Sequence, residues 1–137
     1  DVERIMQHPM TMIASDGRLT NLDVGWPHPR WYGTFPRVLG TYVREKQVLD
    51  LPTALHKMTT MPADRLGFSD RGYLKEGYKA DITIFDPETI QDNSKFTDPH
   101  HYPTGVEYVL VNGKVALENG DTTSVRAGEL LRKRATK

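Results

Sequence analysis

Apolar residues follow two different rhythms along this chain, and the change of rhythm divides it into two halves. Val2, Ile5 and Met6 keep helical spacing until Pro9, whose ring and missing N–H block continuation. Thr11-Met12-Ile13-Ala14 is then a short, almost wholly apolar run, the pattern of a strand covered on both faces, and it stops abruptly at Ser15-Asp16-Gly17. A helix tail leading into a buried strand with polar residues at its C-terminal end is the local grammar of an α/β unit. From Arg18 to Pro36, repeated Gly, Pro and Asn predict a long loop, ordered by Trp26, His28, Trp31, Tyr32 and Phe35. Helical spacing returns at Val38, Leu39, Tyr42 and Val43 and predicts a helix of about ten residues. Asp50 is placed to cap a second helix, with Pro52 in its first turn and Ala54, Leu55 and Met58 on its apolar face. Thr59-Thr60-Met61-Pro62 is expected to interrupt it, and Ala63 to Phe68 to add a further turn closed by Gly67.

Beyond Gly72 the period drops to two. Asp81 to Phe85 alternates through Ile82, Thr83 and Ile84, and Val106 to Val111 forms a second strong strand. Asn112-Gly113 follows, the pair that best tolerates the positive φ angles of a tight hairpin, so Lys114 to Leu117 is expected to pair back. No long-period repeat or low-complexity tract is present.

Composition narrows the functional classes more than it names one. With 37% hydrophobic and 26% charged residues, the chain reads as a soluble globular domain of 137 residues. Lys+Arg and Asp+Glu are both 18, so no net field attracts nucleic acid or an anionic membrane. The basic run Arg132-Lys133-Arg134 reads as a solvated chain end. The absence of cysteine removes disulfides, thiolate zinc sites and a thiol nucleophile, and points to a cytoplasmic location. No stretch is apolar for the roughly 18 residues a membrane helix requires, and Asp1-Val2-Glu3 is not the basic start of a signal peptide.

Three residues stand out as candidate chemistry. Asp16 follows a buried run directly, and the C-terminal edge of the sheet is where α/β folds place their active sites. An Asp-Gly pair also makes an ordinary turn, and without further context that is the commoner reading. His28 and Arg30 lie in Trp26-Pro27-His28-Pro29-Arg30-Trp31, where alternating prolines hold the chain extended. Imidazole and guanidinium there could face an anionic group; equally, the segment could be a packed lid with its Arg in a surface ion pair. His8, His56, His100 and His101 show no H-x-H, H-E-x-x-H or paired helical spacing, and adjacent His100 and His101 cannot both point one way in an extended segment.

Taken together, Ser15-Asp16-Gly17, His28-Pro29-Arg30 and Gly33-Thr34-Phe35-Pro36-Arg37-Val38-Leu39-Gly40 resemble the C-terminal third of N-acyl-D-amino-acid deacylases, or D-aminoacylases, of the amidohydrolase superfamily. The likeness continues through Lys57-Met58-Thr59, Pro62-Ala63, Gly77, Ala80-Asp81 and Phe85-Asp86-Pro87, and closes on Val109-Leu110-Val111-Asn112-Gly113. The resemblance implies an α/β architecture. Residues 1–68 would supply the last strand, an active-site loop and helices of a metal-dependent (β/α)8 barrel, and residues 69–137 part of a small β-sandwich. It implies hydrolysis of N-acyl-D-amino acids, with Asp16 as the general acid/base that takes a proton from the attacking water and delivers it to the departing amine. His28 and Arg30 would bind substrate. Zinc would be held by His and Cys residues, and in some members a modified Lys, on earlier strands outside this chain, with Asp16 at most a weak contact to it. The expected partners are therefore a small-molecule substrate and the rest of the barrel, and the chain alone is expected to be inactive.

Two other readings stay open at this level. Hydantoinases and dihydroorotases share Ala80-Asp81 and Val111-Asn112-Gly113, but are not expected to carry His28-Pro29-Arg30 with Thr34-Phe35-Pro36-Arg37. A non-catalytic β-rich module would make Asp16 merely part of a turn. Against that, the chain opens inside a helix and gives its first strand to a sheet with no partners, as the back end of a larger hydrolase would.

Overall fold

The computed structural model describes residues 1–18, 22 and 24–132; Lys133 and Arg134 of the basic run lie outside the described residues. Helix α1, Val2–Gln7, occupies the predicted opening. The expected strand over Thr11 to Ala14 does not form. A strand exists only as part of a ladder, and none of the described residues supplies the neighbouring strand. The segment is held instead by one lysine. Ile13 N–H donates to the Lys57 carbonyl at 3.1 Å. Lys57 Nζ in turn donates to the carbonyls of His8 (2.6 Å) and Thr11 (2.8 Å). The Lys57 residue is only 3% exposed, so these oxygens replace the water its ammonium has lost.

The predicted loop is shorter than expected. It ends at Pro29, where helix α2, Arg30–Arg37, begins, and Pro36 lies inside that helix. The chain passes without a break from α2 into a π-helical stretch, Val38–Glu45. Tertiary contacts explain why prolines fail as breakers here. Gly33, Arg37, Gly40 and Arg44 recur at i, i+4, i+7 and i+11, one face of the continuous helix, and that face lies against the chain around Pro87 to Ser94. Arg37 Nε meets Asp92 Oδ2 at 2.6 Å, and Arg37 Nη2 donates to the Ser94 carbonyl at 3.2 Å. Arg44 Nη1 reaches the carbonyls of Ile90 (2.7 Å) and Pro87 (3.1 Å), while Nη2 meets Gln91 Oε1 at 2.7 Å. Between the arginines the backbones approach closely. A Cβ on Gly40 would sit 2.7 Å from the Ile90 carbonyl oxygen, and one on Gly33 would overlap the Asp92 carboxylate.

Helix α3, Leu51–Met58, starts as predicted: Asp50 accepts from Thr53 N–H at 2.8 Å, and the chain bends at Thr59 (φ −127°, ψ −78°). Helix α4, Thr60–Leu66, begins earlier than expected, with Pro62 in its first turn, where its missing N–H leaves no intrahelical bond unmade. Gly67 closes it in the left-handed conformation. The helical half buries Val38, Leu49 and Ala54 together, with Met6, Ile13, Val43, Val48 and Met58 against them.

The second half is a four-stranded antiparallel sheet in the order β1-β2-β3-β4: Ile82–Phe85, Val106–Val111, Lys114–Glu118 and Asp121–Thr122. Asn112 (φ 49°) and Gly113 (φ 76°) make the predicted hairpin, with Val111 paired to Lys114. Strand β4 was not anticipated, although Asn119-Gly120 carries the same signal and makes a second tight turn between Glu118 and Asp121. Arg71, 8% exposed, ties the approach to β1, the β2–β3 turn and the C-terminal segment together by bonding to Asp81, Asn112 Oδ1 (3.1 Å) and Glu129 Oε1 (2.7 Å). The fold class is α/β. No helix among the described residues is long and apolar enough to cross a membrane.

Candidate active site

Asp16 leaves the irregular segment with its side chain 88% exposed, so its carboxylate is free to meet solvent or a ligand. The helix that begins at Arg30 brings the second candidate onto it. Arg30 Nη2 lies 2.7 Å from Asp16 Oδ2, and Arg30 Nε donates to the Asp16 carbonyl at 3.1 Å. The Arg30 backbone is itself fixed, because its carbonyl accepts from Thr34 Oγ1 (2.8 Å) and Ser15 Oγ (3.3 Å). A guanidinium has five donors, and these contacts engage two of them. His28 turns its ring back on the helix start, with Nδ1 accepting from Arg30 N–H at 3.0 Å. That bond puts a lone pair on Nδ1, so the neutral ring carries its proton on Nε2.

All three candidates line one cavity of ≈ 440 Å³, whose other walls include Arg37, Tyr42 and Phe96. Arg37 was anticipated only as part of a motif. Phe96 was not anticipated at all, since a lone phenylalanine far along the chain carries no signal of its own. It arrives on the excursion between β1 and β2 and meets His28 edge-to-face, ring centroids 4.9 Å apart. The same excursion braces the segment that carries His28 and Arg30: Tyr32 OH and His100 Nδ1 are 3.0 Å apart, and His100 Nε2 reaches the Gly25 carbonyl at 3.0 Å.

Metal binding can be tested against the donors present. Among the described residues no group of three or more His, Cys, Asp or Glu side chains could hold a metal ion. The histidines outside the cavity take local partners: His8 accepts from Met10 N–H, His56 meets Thr60, and His101 pairs with Asp98. Asp16 could lend one ligand at most, so the described residues do not make a metal centre by themselves. What the cavity does assemble is an exposed carboxylate, an arginine with donors to spare for an anion, and an imidazole whose Nδ1 is already engaged as an acceptor.

Comparison with known proteins shows what the chain as a whole is similar to. The model describing the amidohydrolase family matches residues 1–117. The N-acyl-D-aspartate deacylase of Alcaligenes xylosoxydans xylosoxydans is 42% identical over 131 residues, which is 96% of this chain and 26% of that protein. A crystal structure of D-aminoacylase superposes with a TM-score of 0.87 at 42% identity, over 93% of this chain and 26% of that one. The N-acyl-D-glutamate deacylase from Bordetella bronchiseptica, solved with zinc and a phosphonate inhibitor that mimics the tetrahedral intermediate, superposes with a TM-score of 0.79 at 40% identity, over 93% of this chain and 27% of that one. The chain thus spans about a quarter of the length of the relatives it matches.

Proposed function

From the premise that the chain belongs to the amidohydrolase family, we propose that it serves a zinc-dependent deacylase that cleaves N-acyl-D-amino acids to a carboxylate and a free D-amino acid. The observation that carries this reading is the meeting of Asp16, Arg30 and His28 at one cavity, in a chain 42% identical to an N-acyl-D-aspartate deacylase. Residues 1–68 would complete a (β/α)8 barrel, with Thr11 to Ala14 as its last strand. That role accounts for an apolar run which finds no ladder among the described residues. Residues 69–137, with the antiparallel sheet, would belong to a β-sandwich. Zinc would be bound by residues beyond those of this chain, a reading supported by the lack of any group of three or more His, Cys, Asp or Glu among the described residues that could hold a metal ion.

Amide hydrolysis needs a proton removed from the attacking water and one supplied to the departing nitrogen, because an amide anion leaves too poorly. One exposed carboxylate can do both in turn. Asp16 accepts the proton as the C–O bond forms and returns it to nitrogen as the C–N bond breaks, so atoms and charge balance over the cycle. Arg30 grips Asp16 with Nε and one Nη2 N–H, and its remaining donors suit the substrate's α-carboxylate. His28, with a proton on Nε2, can donate to the same substrate.

The test is Asp16→Asn in the metal-loaded enzyme that contains this chain, assayed on N-acetyl-D-amino acids with L-enantiomers as controls. Asn keeps the shape but can neither accept nor return the proton. General acid/base catalysis contributes about 10²–10⁴-fold, so kcat should fall at least about a hundredfold while metal content and unfolding midpoint persist. Retention of more than about a tenth of wild-type kcat would remove Asp16 from the reaction.

A further inference from the structure

Phe96 stands 66% exposed although it is large and apolar, and it lines the cavity that holds Asp16 and Arg30. Its surroundings hold it there. The base of its turn is buried and bonded: Ser94, 1% exposed, donates its hydroxyl to the Pro99 carbonyl at 2.6 Å, and Lys95 pairs with Asp98 across the turn. Trp26 Nε1 donates to the Phe96 carbonyl at 3.1 Å. The His28 ring meets the phenyl edge-to-face, which orients it beside the residues assigned to substrate. A ring fixed on a braced turn, at the wall of the cavity that holds Asp16, Arg30 and His28, is positioned to contact a ligand bound there.

We propose that Phe96 is a specificity-determining residue whose ring forms an apolar wall for the substrate, taking the apolar group of an N-acyl-D-amino acid, either its side chain or its acyl chain. This rests on the deacylase reading and adds the part of the substrate that no charged residue in the cavity recognises. Arg30 and His28 serve anionic and polar groups. The phenyl supplies the complementary surface, and an amino-acid side chain or acyl tail is what it can distinguish.

The experiment uses the metal-loaded enzyme containing this chain, as wild type, Phe96→Ala and Phe96→Leu, on two substrate series. One lengthens the acyl group from acetyl to hexanoyl on D-alanine; the other enlarges the side chain from D-alanine to D-leucine and D-phenylalanine under a fixed acetyl group. Phe96→Ala should lower kcat/KM for the large members of one series by about 10–100-fold, while N-acetyl-D-alanine changes less than about threefold. Phe96→Leu should fall between. The series that responds identifies which group the ring holds. An equal loss on every substrate, or no change in the ratio of large to small, overturns the assignment while leaving the deacylase reading in place. A wild-type enzyme that turns over no N-acyl-D-amino acid overturns both.

Discussion

Gly33→Ala is a sharp test of how the helical half is built. The substitution should favour the helix by about 1 kcal/mol, because alanine loses less backbone entropy than glycine. The structure reverses that sign. An added Cβ would overlap the Asp92 carboxylate, with even the farther oxygen, Oδ2, only 2.8 Å away. Asp92 cannot move aside cheaply: its side chain is 2% exposed, Oδ2 is bound by Arg37 Nε at 2.6 Å and Oδ1 by Ser94 N–H at 2.9 Å. Overpacking costs about 1–3 kcal/mol, and loosening a charge-assisted bond about 1.5–3 kcal/mol. Offset by the helix gain, the net loss should be about 1.5–5 kcal/mol. Urea unfolding followed by the fluorescence of Trp26 and Trp31 measures it. Repeating the change in an Asp92→Ala background separates steric overlap from a general helix effect, since the obstructing carboxylate is gone and Gly33→Ala should then be neutral or stabilising by up to about 1 kcal/mol. A loss below about 0.5 kcal/mol in the wild type, or an equal loss in both backgrounds, would show that the Asp92 contact does not require Gly33.

Two further outcomes follow from the same contacts. Lys57→Met keeps the length of the side chain but leaves the His8 and Thr11 carbonyls without their buried donor, so the urea midpoint should fall by an amount equivalent to about 2–4 kcal/mol; an unchanged midpoint would mean that water replaces the ammonium there. Bonding to Lys46 holds the Glu3 carboxyl below its ordinary 4.5 and raises Lys46 above 10.5. The pair's contribution is therefore fully present between those two values; it is lost as pH falls through the lowered Glu3 value or climbs through the raised Lys46 value. The stability difference between wild type and Glu3→Gln should be small at neutral pH, shrink with added salt and vanish in strong acid, and a difference that grows on acidification would contradict the sign.

Local chemistry was legible in the sequence wherever a bond closes within a few residues. Asp50 caps Thr53 three positions on, Gly67 ends α4, and Asn112-Gly113 turns β2 onto β3, each by the preference of its own backbone or side chain. The resemblance carried by Ser15-Asp16-Gly17 and His28-Pro29-Arg30 likewise led to the right family, because those residues are contiguous. Tertiary structure decided the rest. Thr11 to Ala14 has the composition of a strand but no neighbour to pair with among the described residues, so its polar backbone depends on Lys57 instead. Pro36 reads as a breaker, yet α2 runs through it because Gly33, Arg37, Gly40 and Arg44 anchor one face to a segment some fifty residues away. The cavity is more remote still from local pattern: Asp16 and Arg30 meet across 14 residues, and Phe96 reaches His28 from the excursion beyond β1. Turns and caps are local equilibria that a short sequence can specify. A ladder, a helix seam and a cavity wall take their free energy from groups far apart in the chain, which only the folded molecule brings within bonding distance.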